Sequence, residues 1–211
     1  MRAAYLTGIR AMEVREAPDP QVETGNDVLL RIDNVGVCGS DMHYYRTGRI
    51  GTQVVEFPWV LGHECAATVE AVGADVTNVS VGDRVALDPL IVCHECDRCT
   101  AGLEHLCRKQ RFLGCPGQVG GSLAELLVMP SECCYRVPDS VSMEQITLIE
   151  PFAIGLYAQR LGGETEGKKV AILGSGPIGL CVLLAVRAAG ACVTYITDLL
   201  DERLAIARTC G

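Results

Sequence analysis

The chain of 211 residues has no cluster of lysine or arginine. Eighteen basic residues stand against twenty-six acidic ones, for a net charge of −8 and a pI near 5.0. Such a chain is a poor candidate for gripping a phosphate backbone, so no nucleic-acid partner is expected. No export signal is expected either, because MRAAYLTGIR at the N-terminus has no apolar h-region. Nor is there a membrane span. The longest apolar run, Ile178 to Ile196, is broken by Arg187 and Gly190 and reads as a helix, a turn and a strand. Repeats and low-complexity segments are absent as well. The remainder has a globular composition, 49% hydrophobic and 21% charged, with length for one large domain or one and a half ordinary ones.

Cysteine, by contrast, is abundant, with twelve in the chain. In a short secreted protein this would mean a disulfide framework. In a long chain without an export signal, metal ligation and buried thiols are favoured, and a cytoplasmic location is expected.

Residues 1 to about 135 are predicted to be β-rich. The runs VLLRIDNV, AATVEAVG, DRVALDP and SLAELLVMP are separated by Gly, Pro, Asp and Asn turns. From Ser142 to Leu161 the pattern predicts a helix, opened by a Ser142/Gln145 capping box and stopped by Gly162-Gly163. VAIL then reads as a strand. GSGPIG is a turn that opens a helix, with Pro177 in the first helical turn, and that helix ends near Gly190. CVTYIT is a second strand, and Asp201 begins another helix. This β-α-β-α order starts a parallel doubly wound sheet. Two parallel strands are too few for a stable buried sheet, so the chain is expected to be part of a protein half as long again or more.

CHECDRCTAGLEHLC places Cys93, Cys96, Cys99 and Cys107 in a C-x2-C-x2-C-x7-C spacing. Four closely spaced thiolates fold one loop around a tetrahedral ion, and zinc suits four sulfurs. The iron–sulfur alternative fits less well, because the bacterial ferredoxin run places its last cysteine at x3, before a proline. The bland alternative is reactive or buried thiols. His94 and His105 fall inside the lobe and are expected on its surface, since four thiolates fill the shell. A closed site of this kind is structural and leaves no place for a substrate.

In GSGPIG, the glycines Gly174, Gly176 and Gly179 fit G-x-G-x-x-G after a strand and before a helix, and Asp198 follows at the end of the next strand. The glycines permit a tight turn and close approach of a pyrophosphate to the helix N-terminus. Asp198 can bind ribose hydroxyls and would repel a 2′-phosphate, which favours NAD over NADP. A packing turn in another α/β fold is the plain alternative. A third set is scattered: Cys38, then His63 and Glu64 in LGHE, then Glu150 in IEP. Singly these read as a core thiol, a core histidine and a helix carboxylate. One thiolate, one imidazole and one or two carboxylates are also what a catalytic zinc uses. Spacing alone does not join them. A Cys38–His43 nucleophilic pair would explain neither His63, Glu150 nor the glycine turn.

In order along the chain, GVCGSDMH, VLGHE, VGDRVAL, the four-cysteine lobe and GSGPIG resemble the zinc-dependent medium-chain dehydrogenase/reductase (alcohol dehydrogenase) family over essentially the whole chain. YYRTGRIG, IEPFAIGLYA and TDLLDERL are most similar to its sorbitol (polyol) dehydrogenase branch. The resemblance implies a GroES-like β-barrel catalytic domain over residues 1–150, with the four-cysteine lobe at 93–107. Residues 151–211 would then hold a linking helix and the first, incomplete part of a Rossmann domain. It implies one catalytic zinc at Cys38, His63 and Glu64, and one structural zinc at Cys93, Cys96, Cys99 and Cys107. Glu150 matches a glutamate that either ligates the catalytic ion or acts from just outside its ligands. Ser40 and His43 match a proton relay, and Tyr44 a substrate contact. Ile178, Asp198 and Arg203 match positions that hold the adenosine half of NAD.

The implied activity is NAD-linked oxidation of a secondary alcohol or polyol such as sorbitol or xylitol, by a homodimer or homotetramer. L-threonine or another alcohol is the alternative within the family. A non-catalytic zinc-binding interaction module is the alternative outside it. Cys115, in FLGCPGQVGG, stands where sorbitol dehydrogenases tend to carry threonine. Asp41 is left as a turn-stabilising carboxylate. Alone, the 211-residue chain is expected not to turn over NAD.

Overall fold

The structure, a computed structural model, describes residues 1–211. The chain divides into two compact units, Met1–Leu148 and Ile149–Gly211.

The first unit is built on a five-stranded antiparallel sheet. Its spatial order is Leu126–Pro130, Asp27–Gly36, Glu64–Val72, Arg84–Leu87 and Cys134–Arg136. The first of these strands pairs with the second almost one hundred residues away, Leu127 opposite Leu30. In Asp27–Gly36, Val28 and Leu30 point inward while Arg31 faces out, the period-two alternation of a half-buried strand. Val28, Leu30, Val69, Val85, Leu113 and Met129, all nearly inaccessible, form the main core. A second sheet joins Ala11–Glu16, Arg2–Gly8 and Trp59–Val60. The helix Gly39–Thr47 leaves the end of Asp27–Gly36, and Gly48 closes it in the left-handed conformation at φ 69°.

In the second unit, Lys169–Leu173 and Val193–Thr197 pair in parallel, Lys169 opposite Val193. The helix Pro177–Ala188 makes the crossover, and Asp201–Cys210 follows. Ile172, Leu183, Val186 and Ala207 form its core. The helix Ile149–Leu161 packs on Pro177–Ala188 at Gly155, where a Cβ would lie 2.6 Å from Cys181. Leu173 and Tyr195 leave apolar surface exposed on this small sheet.

The single helix predicted from Ser142 to Leu161 is two helices, Met143–Thr147 and Ile149–Leu161. The capping box is present: Ser142 Oγ accepts from Gln145 N at 3.3 Å, and Gln145 Oε1 accepts from Ser142 N at 2.9 Å. The break at Leu148 follows from Pro151, which has no N–H to give to the Thr147 carbonyl. Proline is tolerated only where the helix restarts, because first-turn N–H groups lack intrahelical partners anyway. No helix is long and apolar enough to cross a membrane.

Candidate metal centres and nucleotide turn

The four-cysteine segment folds as a short helix, Asp97–Thr100, and a 3-10 turn, Glu104–Leu106. Its sulfurs converge, with Cys93 and Cys99 4.0 Å apart, Cys96 and Cys99 3.5 Å, and Cys93 and Cys107 3.5 Å. Zn–S bonds of 2.3 Å in a tetrahedron require an S···S edge of about 3.8 Å, so the residues fit a zinc ion. Backbone N–H groups of Arg108 and Lys109 point at Cys96 and Cys107. Hydrogen bonds to its sulfur, led by the Arg108 amide and then the Cys99 amide, bring the Cys96 thiol down to about 6, while burial pushes Cys99 up to about 12. His94 and His105 are exposed. The left-handed backbone at His94, φ 57°, turns its ring to Glu132, 2.8 Å away.

The second cluster joins the end of one strand, the start of another and the loop between them. Cys38 follows Asp27–Gly36 as the N-cap of Gly39–Thr47. His63 precedes, and Glu64 opens, the strand Glu64–Val72. The ligand atoms of Cys38, His63 and Glu64 all lie within 4.8 Å of one another. Room for Glu64 comes from Gly36, opposite it in the ladder, where a Cβ would lie 2.5 Å from Glu64 Oε2. Burial raises the Cys38 thiol and the Glu64 carboxyl above their ordinary values. Ser40 hydrogen-bonds the Cys38 sulfur and opposes the rise. Three ligands of mixed sulfur, nitrogen and oxygen fit a zinc ion with an open position.

Asp41 is more than a turn residue. It is buried and accepts from Cys38 N at 2.9 Å and Gly62 N at 3.3 Å, with Oδ1 4.0 Å from His63 Nδ1. Burial raises this carboxyl, against the pull of His63 and the two amides. It therefore ties together the backbones that carry two of the three ligands. Phe112 fixes the other side of the imidazole, edge to face at 5.4 Å. Asp41 stands three residues after an N-cap, which is a readable cue. Its contact with Gly62, 21 residues away, is not readable. Along the same helix Ser40 is half-buried, His43 is exposed and Tyr44 is buried. Glu150 lies in the first turn of Ile149–Leu161, in the second unit.

Gly174 takes φ 104°, and a Cβ on Gly179 would lie 1.9 Å from the Gly174 carbonyl oxygen. Gly176 is the N-cap of Pro177–Ala188, and a Cβ there would meet nothing within 4 Å. That open approach to a helix N-terminus fits a pyrophosphate. Asp198 Oδ2 accepts from Ser175 N at 2.8 Å and Oδ1 from Leu200 N at 3.0 Å. These bonds hold the carboxyl below its ordinary value, helped by Arg203 at 3.6 Å. Ser175, which the sequence did not single out, is buried and donates through Oγ to the Arg203 carbonyl. Ile178 is exposed in the first helical turn.

One chain thus carries two groups of side chains that could hold a metal ion and a glycine turn between a strand and a helix. The chain belongs to the alcohol dehydrogenase GroES-like domain family, whose model matches residues 24–139. It is 44% identical to L-idonate 5-dehydrogenase of Vitis vinifera, over 99% of this chain and 57% of that protein. It is 40% identical to sorbitol dehydrogenase of Bacillus subtilis (strain 168), over 100% of this chain and 59% of that protein. The crystal structure of galactitol-1-phosphate dehydrogenase from Escherichia coli superposes with a TM-score of 0.92 at 31% identity, over 100% of this chain and 59% of that one. The chain thus spans under three fifths of the length of these relatives.

Proposed function

We propose that this chain carries the metal-binding part of a zinc-dependent, NAD-linked dehydrogenase that oxidises a secondary alcohol or polyol, of the sorbitol or xylitol type, to the ketone. The observation that carries the reading is the convergence of Cys38, His63 and Glu64 within 4.8 Å, in the same chain as a four-thiolate lobe. Cys38, His63 and Glu64 hold the catalytic ion, Glu150 is a further carboxylate serving it, and Cys93, Cys96, Cys99 and Cys107 hold the structural one. Bound there, zinc would supply Lewis acidity toward the alcohol oxygen, and NAD would supply the hydride acceptor.

The chain's own groups do the rest. Ser40, half-buried beside Cys38, takes the hydroxyl proton, and the exposed His43, three residues on, releases it to solvent. Asp41 keeps the His63 ring in orientation. Tyr44 faces the substrate. Gly174, Gly176 and Gly179 admit the pyrophosphate, while Ile178, Asp198 and Arg203 hold the adenosine. Asp198 has spent two of its acceptor sites on the turn and keeps others for ribose hydroxyls.

The substrate is a small molecule. The expected assembly is a homodimer or homotetramer in the cytoplasm, without nucleic acid or membrane. Twelve cysteines in a long chain are read as metal ligands and buried thiols, which accord with a reducing compartment. Oxidation of L-threonine or another alcohol is the second reading, favoured by Cys115 at the position where the polyol branch tends to carry threonine.

Metal analysis and a substrate screen test the proposal. Two zinc ions per chain are expected, falling to one in Cys38→Ser. In the full-length enzyme, sorbitol and xylitol should outperform L-threonine. A single ion, held only by the four cysteines, would instead indicate an interaction module.

A further inference from the structure

The strand Ala11–Glu16 is the outer edge of the second sheet. It pairs with Arg2–Gly8 alone, and all six of its residues are exposed, Val14 at 69% and Met12 at 39%. An open edge is a template for another strand unless proline, a bulge or charge blunts it. Ala11–Glu16 contains no proline, and its ladder runs from Arg2 to Leu6 without a shift in register. Its charges, Glu13, Arg15 and Glu16, would repel many strands.

The ladder decides which backbone groups face the open edge. Ala17 N donates to the Met1 carbonyl at 2.8 Å, and Met1 N donates to the Ala17 carbonyl at 3.0 Å, so this pair exchanges both bonds. Hydrogen-bonded and non-hydrogen-bonded pairs alternate along an antiparallel ladder. Arg15 and Glu13 therefore turn their backbone groups toward Ala3 and Tyr5. Glu16, Val14 and Met12 turn theirs outward.

A second copy of this strand, antiparallel about a two-fold axis, sets one residue opposite itself. With Glu13 or Arg15 on the axis, like charges meet directly, which is destabilising. With Met12 there, the overlap stops at Ala11, because Arg10 leaves the strand at φ 59°. With Glu16 there, Pro18 faces Val14 and has no N–H to give. Val14 on the axis meets none of these obstacles. It bonds the partner's Val14, while Met12 and Glu16 exchange bonds with the partner's Glu16 and Met12. Glu13 then stands opposite the partner's Arg15, and Arg15 opposite the partner's Glu13, with Cα atoms about 4.5 Å apart. The Glu13–Arg15 ion pair within each strand, 2.7 Å, becomes part of a ring of alternating charge.

We propose that Ala11–Glu16 is a homo-oligomer interface, at which two copies of the chain join their sheets edge to edge with Val14 on the two-fold axis. The proposal rests on the self-association expected above and is independent of the metal and nucleotide chemistry.

Native mass spectrometry of the full-length protein tests it. Glu13→Arg and Arg15→Glu each place like charges across the axis, and each variant alone should show half the wild-type mass. Mixed in equal amounts, the two arginines of one strand face the two glutamates of the other. The wild-type mass should return in a complex holding both variants equally. The ion pair within each strand stays broken in both variants, so recovery reports the contact between copies. Val14→Pro removes an N–H that faces away from Arg2–Gly8, which an edge strand tolerates, and should also halve the mass. Amide exchange at Met12, Val14 and Glu16 should be slow in the wild type and fast in each variant alone. Variants that keep the wild-type mass overturn the interface alone. A monomeric wild type overturns the expected assembly with it. Edge amides that stay protected in every variant would show another segment of the full-length chain on this strand, which also overturns the proposal.

Discussion

At Gly62 the backbone sits at φ 98°, a conformation that L side chains rarely adopt. A Cβ there would lie 2.9 Å from Ser122 Oγ and 3.2 Å from Leu123 N. Its N–H is one of the two that Asp41 holds, and the next residue is His63. Gly62→Ala thus strains the backbone, meets a packed neighbour and disturbs His63, the proposed zinc ligand, at once. A residue forced into such a conformation costs about 1–3 kcal/mol. Thermal unfolding should show a lower midpoint, and zinc content should drop toward one ion per chain. A variant that keeps both the midpoint and two ions would show that Gly62 does not set the position of His63. The residue types at Cys38, His63 and Glu64 suit zinc, but singly each also had a bland reading, and only the family resemblance joined them as a ligand set. Their convergence could not be read from spacing, because it depends on Gly36 making room across the ladder and on Asp41 reaching from one helix to a distant loop.

The strand–turn–helix from Lys169 to Ala188 is an element whose parts explain each other. Gly179 lies against the Gly174 carbonyl, so Gly179→Ala must push the helix from the strand end. Asp198 clamps the same turn from the neighbouring strand through Ser175. Its folded pKa lies below the ordinary value of 3.8, so the fold favours the ionised form. That stabilisation is fully present above the ordinary value and is lost as pH falls through the lower folded value. Melting curves from pH 6 down to pH 2 should therefore show a loss of stability below about pH 4 that is smaller in Asp198→Asn. Identical acid profiles for the two proteins would remove Asp198 from the turn's support.

This element was legible in the sequence because its glycines, proline and aspartate act within a few residues or on the adjacent strand. The Ser142/Gln145 box was legible for the same reason. The break at Leu148 was missed because apolar periodicity runs straight through it, and only the missing N–H of Pro151 interrupts the ladder. The pairing of Leu126–Pro130 with Asp27–Gly36 had no local cue. It is fixed by burying Leu127 and Met129 in the same core as Val28 and Leu30.

At the scale of the whole chain, two kinds of core hold the first unit. The five-stranded sheet closes over aliphatic side chains that are almost fully inaccessible. The lobe from Cys93 to Cys107 has nothing comparable, since Cys99 and Cys107 are its only buried residues. Its ion pairs, Lys109 with Glu95 and Arg108 with Asp97, are exposed. Exposed pairs contribute only about 0.2–1 kcal/mol each. If zinc binds the four cysteines as proposed, its binding free energy supplies the lobe's order, as in small domains where binding free energy is folding free energy. Chelation should remove the ion at Cys38, His63 and Glu64 first, because three ligands leave that site open, and the four-thiolate ion later. Amide hydrogen exchange followed through the titration should show protection collapsing across 93–107 with the second ion. The strands Asp27–Gly36 and Glu64–Val72 should keep their protection, because their core does not depend on the lobe. Equal and simultaneous loss in the sheet would mean that the lobe and the sheet unfold as one cooperative unit.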